Sequence, residues 1–178
     1  MVKKLDLSSI ENEQRTEIIR KTWTSHDARW QMAVFQEFGW EKGNKLNQQV
    51  MRDIGKGMMY RLMKALGISE IKNVEAFQAI CTAAIDFYFP NFSYQVKPLS
   101  DTSFLGIIES CDTYENVKKA GVINYYECGC FAMRSGWYDA LGLEAKEELG
   151  KCLKNGDNIC EIFVTVNKWN KEKQTNTP

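Results

Sequence analysis

Halfway along the chain the spacing of the apolar residues changes. In the first half, Trp23, Trp30 and Val34 fall at helical intervals with His26 among them, and Leu46, Val50, Ile54, Met58 and Leu62 recur every four residues. That is the spacing of one helix face. After Pro90, Phe92, Tyr94 and Val96 alternate with Ser93, Gln95 and Lys97. Near the end, Cys160, Ile162, Val164 and Val166 alternate with Glu161, Phe163 and Thr165. Alternation is the mark of a strand with one buried face. Helices come first and strands later, with no βαβ repeat, so the predicted class is α+β: N-terminal helices packed on a C-terminal antiparallel sheet.

The punctuation between these runs predicts the elements. Ser8 or Ser9 offers an N-cap for a first helix. A second is expected from Ser25 to Phe38, stopped at Gly39, and a third closes on Gly67. Gly55 and Gly57 inside that third helix cost propensity and predict close approach of another backbone, with a neighbouring helix the first choice over a ligand. Asn73 caps a further helix that ends before Pro90. Two strands follow, paired around the turn "SDT", then short helices near Thr113–Ala120 and after Cys130. One domain is expected over 1–178, with an ordered core from 8 to 168 and a flexible tail over 169–178.

Composition narrows the function. The chain has 178 residues, enough for one core. Its 23 basic and 23 acidic residues give no net charge, which argues against a phosphate-binding surface and so against nucleic acid as partner. The basic ends "MVKK" and "NKWNKEKQTNTP" read as solvated tails. No secretory h-region or bilayer-length apolar run is visible, so a soluble cytoplasmic protein is expected. In that compartment the six cysteines read as thiols or ligands rather than a disulfide framework.

Glycine-rich phosphate loops and C-x-x-C are missing from the sequence. Ser25, His26 and Asp27 contain the triad residue types, but neighbours on a helix point about 100° apart and cannot form a relay. Four thiolates or imidazoles suit zinc. With a single histidine, any such site rests on cysteine: Cys128 and Cys130 in "ECGC", Cys152 and Cys160 around "NGD", helped by Asp27, Glu127 or Asp157. The alternatives stay open at this point. Cysteine is often a small buried hydrophobe, and Cys81 reads that way. His26 beside Cys130 or Cys152 would make a thiol nucleophile. Trp23, Trp30, Trp137 and the methionines Met58, Met59 and Met63 would wall a ligand pocket, or fill a core.

The motif W-x-x-HD-x-x-W, here Trp23, His26, Asp27 and Trp30, is followed by Phe38-Gly39 and a long helix closing on "LGI". It resembles an uncharacterised prokaryotic family, over roughly residues 15 to 166. Cys111, Cys130 ahead of "GWYDA", Cys152 and Cys160 match that family's scattered cysteines. The chain is also similar to the aminothiazoline-carboxylate hydrolase-like proteins and to the four-vinyl reductase small-molecule-binding domain. The latter ends in C…G-D…C-x-F-x-V, here Cys152, Gly156, Asp157, Cys160, Ile162 and Val164, with Phe163 one place past the aromatic. Fold relatives of that domain, the haem nitric-oxide-binding and TRAPP-subunit domains, pack helices on an antiparallel sheet.

The resemblance implies a small-molecule-binding domain with Cys111, Cys130, Cys152 and Cys160 as a zinc cluster and Trp23, Trp30 and Trp137 around the ligand. It places His26 and Asp27 across the pocket, His26 as a proton shuttle. Hydrolysis of a cyclic amidine or other carbon–nitrogen bond is the second expectation, and a homodimer is an allowed assembly.

Overall fold

The computed structural model describes residues 6–169. The chain separates into two compact units, Met1–Lys45 and Leu46–Pro178. Helix α1 (Asn12–Leu66) runs through both and is interrupted at Gly39, whose φ of 77° and ψ of 168° are not helical. That break falls where the sequence puts a helix stop, whereas the helix runs unbroken through Thr24. The run "MVKK" and residues 170–178 of the expected tail lie outside the described residues, whereas Asn167 and Lys168 belong to the last strand and Trp169, expected to begin the flexible tail, meets the Phe77 ring edge to face at 6.3 Å.

In the first unit Phe35 and Trp40 stack across the Gly39 break, ring centroids 4.3 Å apart. Gly43 makes room for them, because the Phe35 ring occupies the space a Cβ there would need. Neither Ser8 nor Ser9 caps α1. The Ser8 amide and hydroxyl instead donate to the Asp6 carboxylate, each at 2.9 Å.

The second unit holds the sheet. Its other helices are α2 (Val74–Tyr88), α3 (Asp112–Lys119) and α4 (Cys130–Leu141), and its strands are β1 (Ser93–Ser100), β2 (Ser103–Ser110), β3 (Glu144–Leu149) and β4 (Cys160–Lys168). The strands form one antiparallel sheet in the order β1-β2-β4-β3. The α+β architecture read from the sequence is therefore the one the chain adopts.

Asn73 caps α2 as expected, its side chain accepting from the Ala76 amide at 2.8 Å. The buried face of α2 is Val74, Phe77, Ile80, Cys81 and Ala84, a helical spacing that lays one stripe on the sheet. Phe77 is wholly buried and meets Phe104 of β2 and Tyr138 of α4 edge to face, at 5.2 and 5.5 Å. Ile162, Val164 and Val166 of β4 add to Phe104 on the sheet's side. Met58, Met59 and Met63 belong to this core, so they fill space between helices.

One of the two mid-helix glycines behaves as predicted. A Cβ on Gly55 would overlap the Met133 carbonyl oxygen of α4, and one on Gly136 of α4 would overlap the Arg52 carbonyl oxygen of α1. The two helices thus cross backbone to backbone at a pair of glycines. Gly57 meets only the Arg61 side chain. Among the described residues no helix is long and apolar enough to cross a membrane.

Candidate functional site

The register of the sheet starts the site. Cys160 opens β4 and lies opposite Ile108 of β2, while Ile162 lies opposite Gly106. Three residues past Ile108, the chain leaves β2 at Cys111, the N-cap of α3, whose sulfur accepts from the Tyr114 amide at 3.5 Å. The loop after α3 brings Cys128 to the start of α4, where Gln48 of α1 donates to the Cys128 carbonyl at 3.1 Å. Gly129 is needed there because a Cβ would lie 2.6 Å from Met51 Cγ.

The segment before β4 closes the ring. Asp157 accepts from the Cys152 amide at 2.8 Å, Gly156 takes a positive φ of 93°, and the Leu153 amide donates to Cys160 Sγ at 3.3 Å. Two backbone hydrogen bonds, Gly150 N–H to Glu161 and Glu161 N–H to Lys151, hold the ends together at 2.8 and 3.0 Å.

These pieces enclose an apolar chamber of about 250 Å³, bordered by Cys111, Cys128, Cys130, Cys152 and Cys160. An inner chamber of about 70 Å³ lies behind it, under α2, with Cys81, Phe104 and Trp137 in its walls. Ile108, Cys130, Arg134 and Ile162 line both and so form the partition. Trp137 Nε1 is buried with no hydrogen-bond partner among the described residues.

Arg134 is the charge in that partition. It forks onto Glu147 of β3 through Nε–Oε1 at 2.6 Å and Nη2–Oε2 at 3.0 Å, and lies over the Phe131 ring at 4.7 Å. Tyr138 adds a hydroxyl donor to Glu147 Oε1. The Glu147 charge holds the guanidinium protonated against the cost of burial.

The thiols are not equivalent. Cys128 is depressed from the ordinary 9 to about 6, chiefly because the Cys130 thiol donates to its sulfur; burial opposes, and the Cys130 amide, Arg134 and Lys154 assist. Cys130 keeps its proton, held up by that same bond and by burial. Burial raises Cys160 to about 11 and also raises Cys111 and Cys81. Cys128 is therefore the thiolate of the cluster at neutral pH. Alkylation by iodoacetamide is expected to label Cys128 first. Its rate should hold down to about pH 7 and fall as pH drops through about 6. A profile rising only toward pH 9, read by peptide mass mapping, would contradict the assignment.

The four cysteines singled out from the sequence thus come together, joined by Cys128, which the sequence reading passed over for Cys130. A C-x-C pair gives no sign of which sulfur holds the proton. Arg134 was also missed, although its place four residues after Cys130 on a helix puts the two on one face. Trp137 is 2% exposed and borders the inner chamber. Asp157 serves the turn. Trp23, His26, Asp27 and Trp30 lie on α1 in the first unit, all exposed, with His26 edge-on to Trp23 at 5.5 Å. The helix carries them as the periodicity predicted. The chamber's walls come entirely from the second unit.

No family model and no curated protein matches the chain. Among solved structures it is similar to subunit 3 of the trafficking protein particle complex from Naegleria fowleri, described as covalently bound to palmitic acid. The likeness has a TM-score of 0.61 at 16% identity and covers 90% of this chain and 100% of that one.

The expectation of a zinc-binding, hydrolase-like small-molecule domain is corrected here. Among the described residues no group of three or more His, Cys, Asp or Glu side chains is arranged to hold a metal. The physical reason is local pairing: Cys128 bonds Cys130, Cys160 bonds Cys152, and Cys111 caps a helix. Each sulfur is engaged within its own segment, and among the described residues no third ligand group stands with either pair, where a tetrahedral site needs three or four. The likeness to the solved structure, at 16% identity, is one of fold.

Proposed function

We propose that this chain is a subunit of a larger protein assembly and carries a fatty acyl chain covalently, as a thioester on Cys128. The observation that supports this reading most is the apolar chamber with a thiolate at its border. An apolar cavity of about 150 Å³ stays dry and takes up benzene. The outer chamber alone exceeds that, and its partition with the inner one is made of side chains. An alkyl chain entering past Cys128 would bury its methylenes at about 0.8 kcal/mol each. The printed description of the Naegleria subunit, covalently bound to palmitic acid, supports the same reading, as does its place in a complex.

The chemistry is a thioester exchange. Cys128 Sγ attacks the carbonyl carbon of an acyl thioester, the new carbon–sulfur bond forms, and the donor's thiol leaves and takes up a proton. Arg134 stabilises the attacking thiolate, and the apolar walls receive the chain.

The test is incubation of the reduced full-length chain with palmitoyl-coenzyme A, followed by intact mass and hydroxylamine treatment. One palmitoyl group per chain, released by hydroxylamine and absent in Cys128→Ser, is the expected result. Incorporation undiminished in Cys128→Ser would overturn the assignment. Light scattering of the loaded and unloaded chain, alone and in extracts of its source, reports on assembly. A chain that stays monomeric in both settings would count against the subunit reading.

A further inference from the structure

Five of the six cysteines border one chamber, and four of them are already arranged in pairs. The Cys130 side chain bonds to Cys128, and the Cys152 side chain bonds to Cys160. A backbone device supports each pair. Gly129 lets the Cys128–Cys130 loop press against Met51 of α1, and Gln48 anchors its carbonyl. The clamp between residues 150–151 and Glu161, with the positive-φ turn at Gly156, holds Cys152 against the first residue of β4. Cys111 is different, because it caps α3 through the Tyr114 amide and no neighbouring thiol among the described residues bonds to it. Cys81 stands apart at the inner chamber, on the buried face of α2.

A fixed thiol neighbour is what separates reversible oxidation from damage. A lone sulfenic acid goes on to sulfinic acid, whereas one with a thiol in reach condenses to a disulfide. We propose that this chamber is a dithiol redox site for peroxides, closing two disulfides, Cys128–Cys130 and Cys152–Cys160, and leaving Cys111 and Cys81 reduced.

The step balances for each pair. Cys128 Sγ attacks one oxygen of the peroxide, the O–O bond breaks, and the second oxygen leaves as water or alcohol with a proton. The Cys130 sulfur then attacks the Cys128 sulfenic sulfur, the S–S bond forms, and the sulfenic oxygen leaves as water. Two thiols lose two electrons and two protons to one peroxide. In the second pair Cys152 meets a second equivalent and Cys160 attacks the resulting sulfenic sulfur, and a reducing thiol restores both pairs by exchange.

This inference rests on the thiol pairs and not on the acyl reading, with which it shares Cys128. A closed Cys128–Cys130 disulfide has no nucleophile left, so oxidation blocks thioester formation.

The experiment is titration of the reduced, acyl-free, full-length chain with hydrogen peroxide. It is read by thiol counting under denaturing conditions, intact mass and disulfide mapping. Loss of four thiols, a mass lower by two hydrogens per pair, the two named disulfides, and full recovery with dithiothreitol are expected. In Cys130→Ser the Cys128 sulfenic acid should persist long enough for dimedone to trap it, while Cys152–Cys160 still closes. Cross-pair or intermolecular disulfides, or oxygen added to sulfur in the unmodified chain, would overturn the proposal. Because Cys130→Ser could perturb the start of α4, Cys160→Ser gives an independent arm, in which Cys128–Cys130 must still close. A chain that closes both disulfides but takes no palmitoyl group sinks only the acyl reading, and the reverse result sinks only this one.

Discussion

Replacement of Arg134 by methionine is expected to cost about 3–5 kcal/mol of stability, the usual penalty for leaving a buried partner charge alone. The side chains of Arg134 and Glu147 keep only 13% and 7% of their exposure, and the bond between them is a two-pronged fork. Removing the guanidinium leaves the Glu147 carboxylate facing the Tyr138 hydroxyl without a counter-charge. The double variant Arg134→Met/Glu147→Leu should recover most of the loss, since an apolar pair of similar size removes both charges at once. Urea denaturation of the single and double variants checks this. Equal destabilisation in the two would mean that packing over Phe131, and not charge, is what Arg134 supplies. The single variant should also move the Cys128 alkylation profile to higher pH, because Arg134 is one of the charges that favour its thiolate.

How much of this was legible beforehand differs from element to element. β1 and β4 could be read because one face of each is buried and the other is wet, so alternation survives in the sequence. β3 could not. Its sequence "EAKEEL" is made of good helix formers with no apolar alternation. It is a strand because it pairs with β4 from Ala145↔Val166 to Leu149↔Ile162, and its inward position Glu147 is occupied by a charge that Arg134 satisfies. A buried ion pair on an edge strand erases the signal that periodicity depends on. The continuous helix through Thr24 has a similar explanation, since polar residues there carry no stop, whereas Gly39 does.

The four cysteines that the family resemblance grouped all border one chamber, but neither the resemblance nor their spacing showed how they are partnered. Cys111, Cys130, Cys152 and Cys160 do gather, and residue type alone suggested zinc. The local bonds that pair them depend on backbone turns at Gly129 and Gly156, which the sequence shows only as glycines. Thiol spacing cannot distinguish four ligands on one ion from two dithiols.

The glycine crossing carries the other large expected effect. In Gly136→Val, the Cβ would occupy the position of the Arg52 carbonyl oxygen and lie 2.7 Å from the Lys56 amide nitrogen. Those are backbone atoms of α1, so no rotamer change relieves the overlap, and the helices must separate. Overpacking in a dense core costs about 1–3 kcal/mol and occasionally more. Here the upper end or beyond is expected, because Met133 and Trp137 flank Gly136 and are themselves buried. Separation of α4 from α1 would also move Cys130 and Arg134, which α4 carries into the chamber. The variant should therefore lose both thermal stability and the low-pH alkylation of Cys128. Gly57→Ala serves as the control on the same helix. Its Cβ would meet only the mobile end of Arg61, at 3.1 Å, and the helix gains propensity from alanine, so its stability should hold or rise. A Gly136→Val chain that melts with the unmodified protein would show that the two helices do not need this close approach.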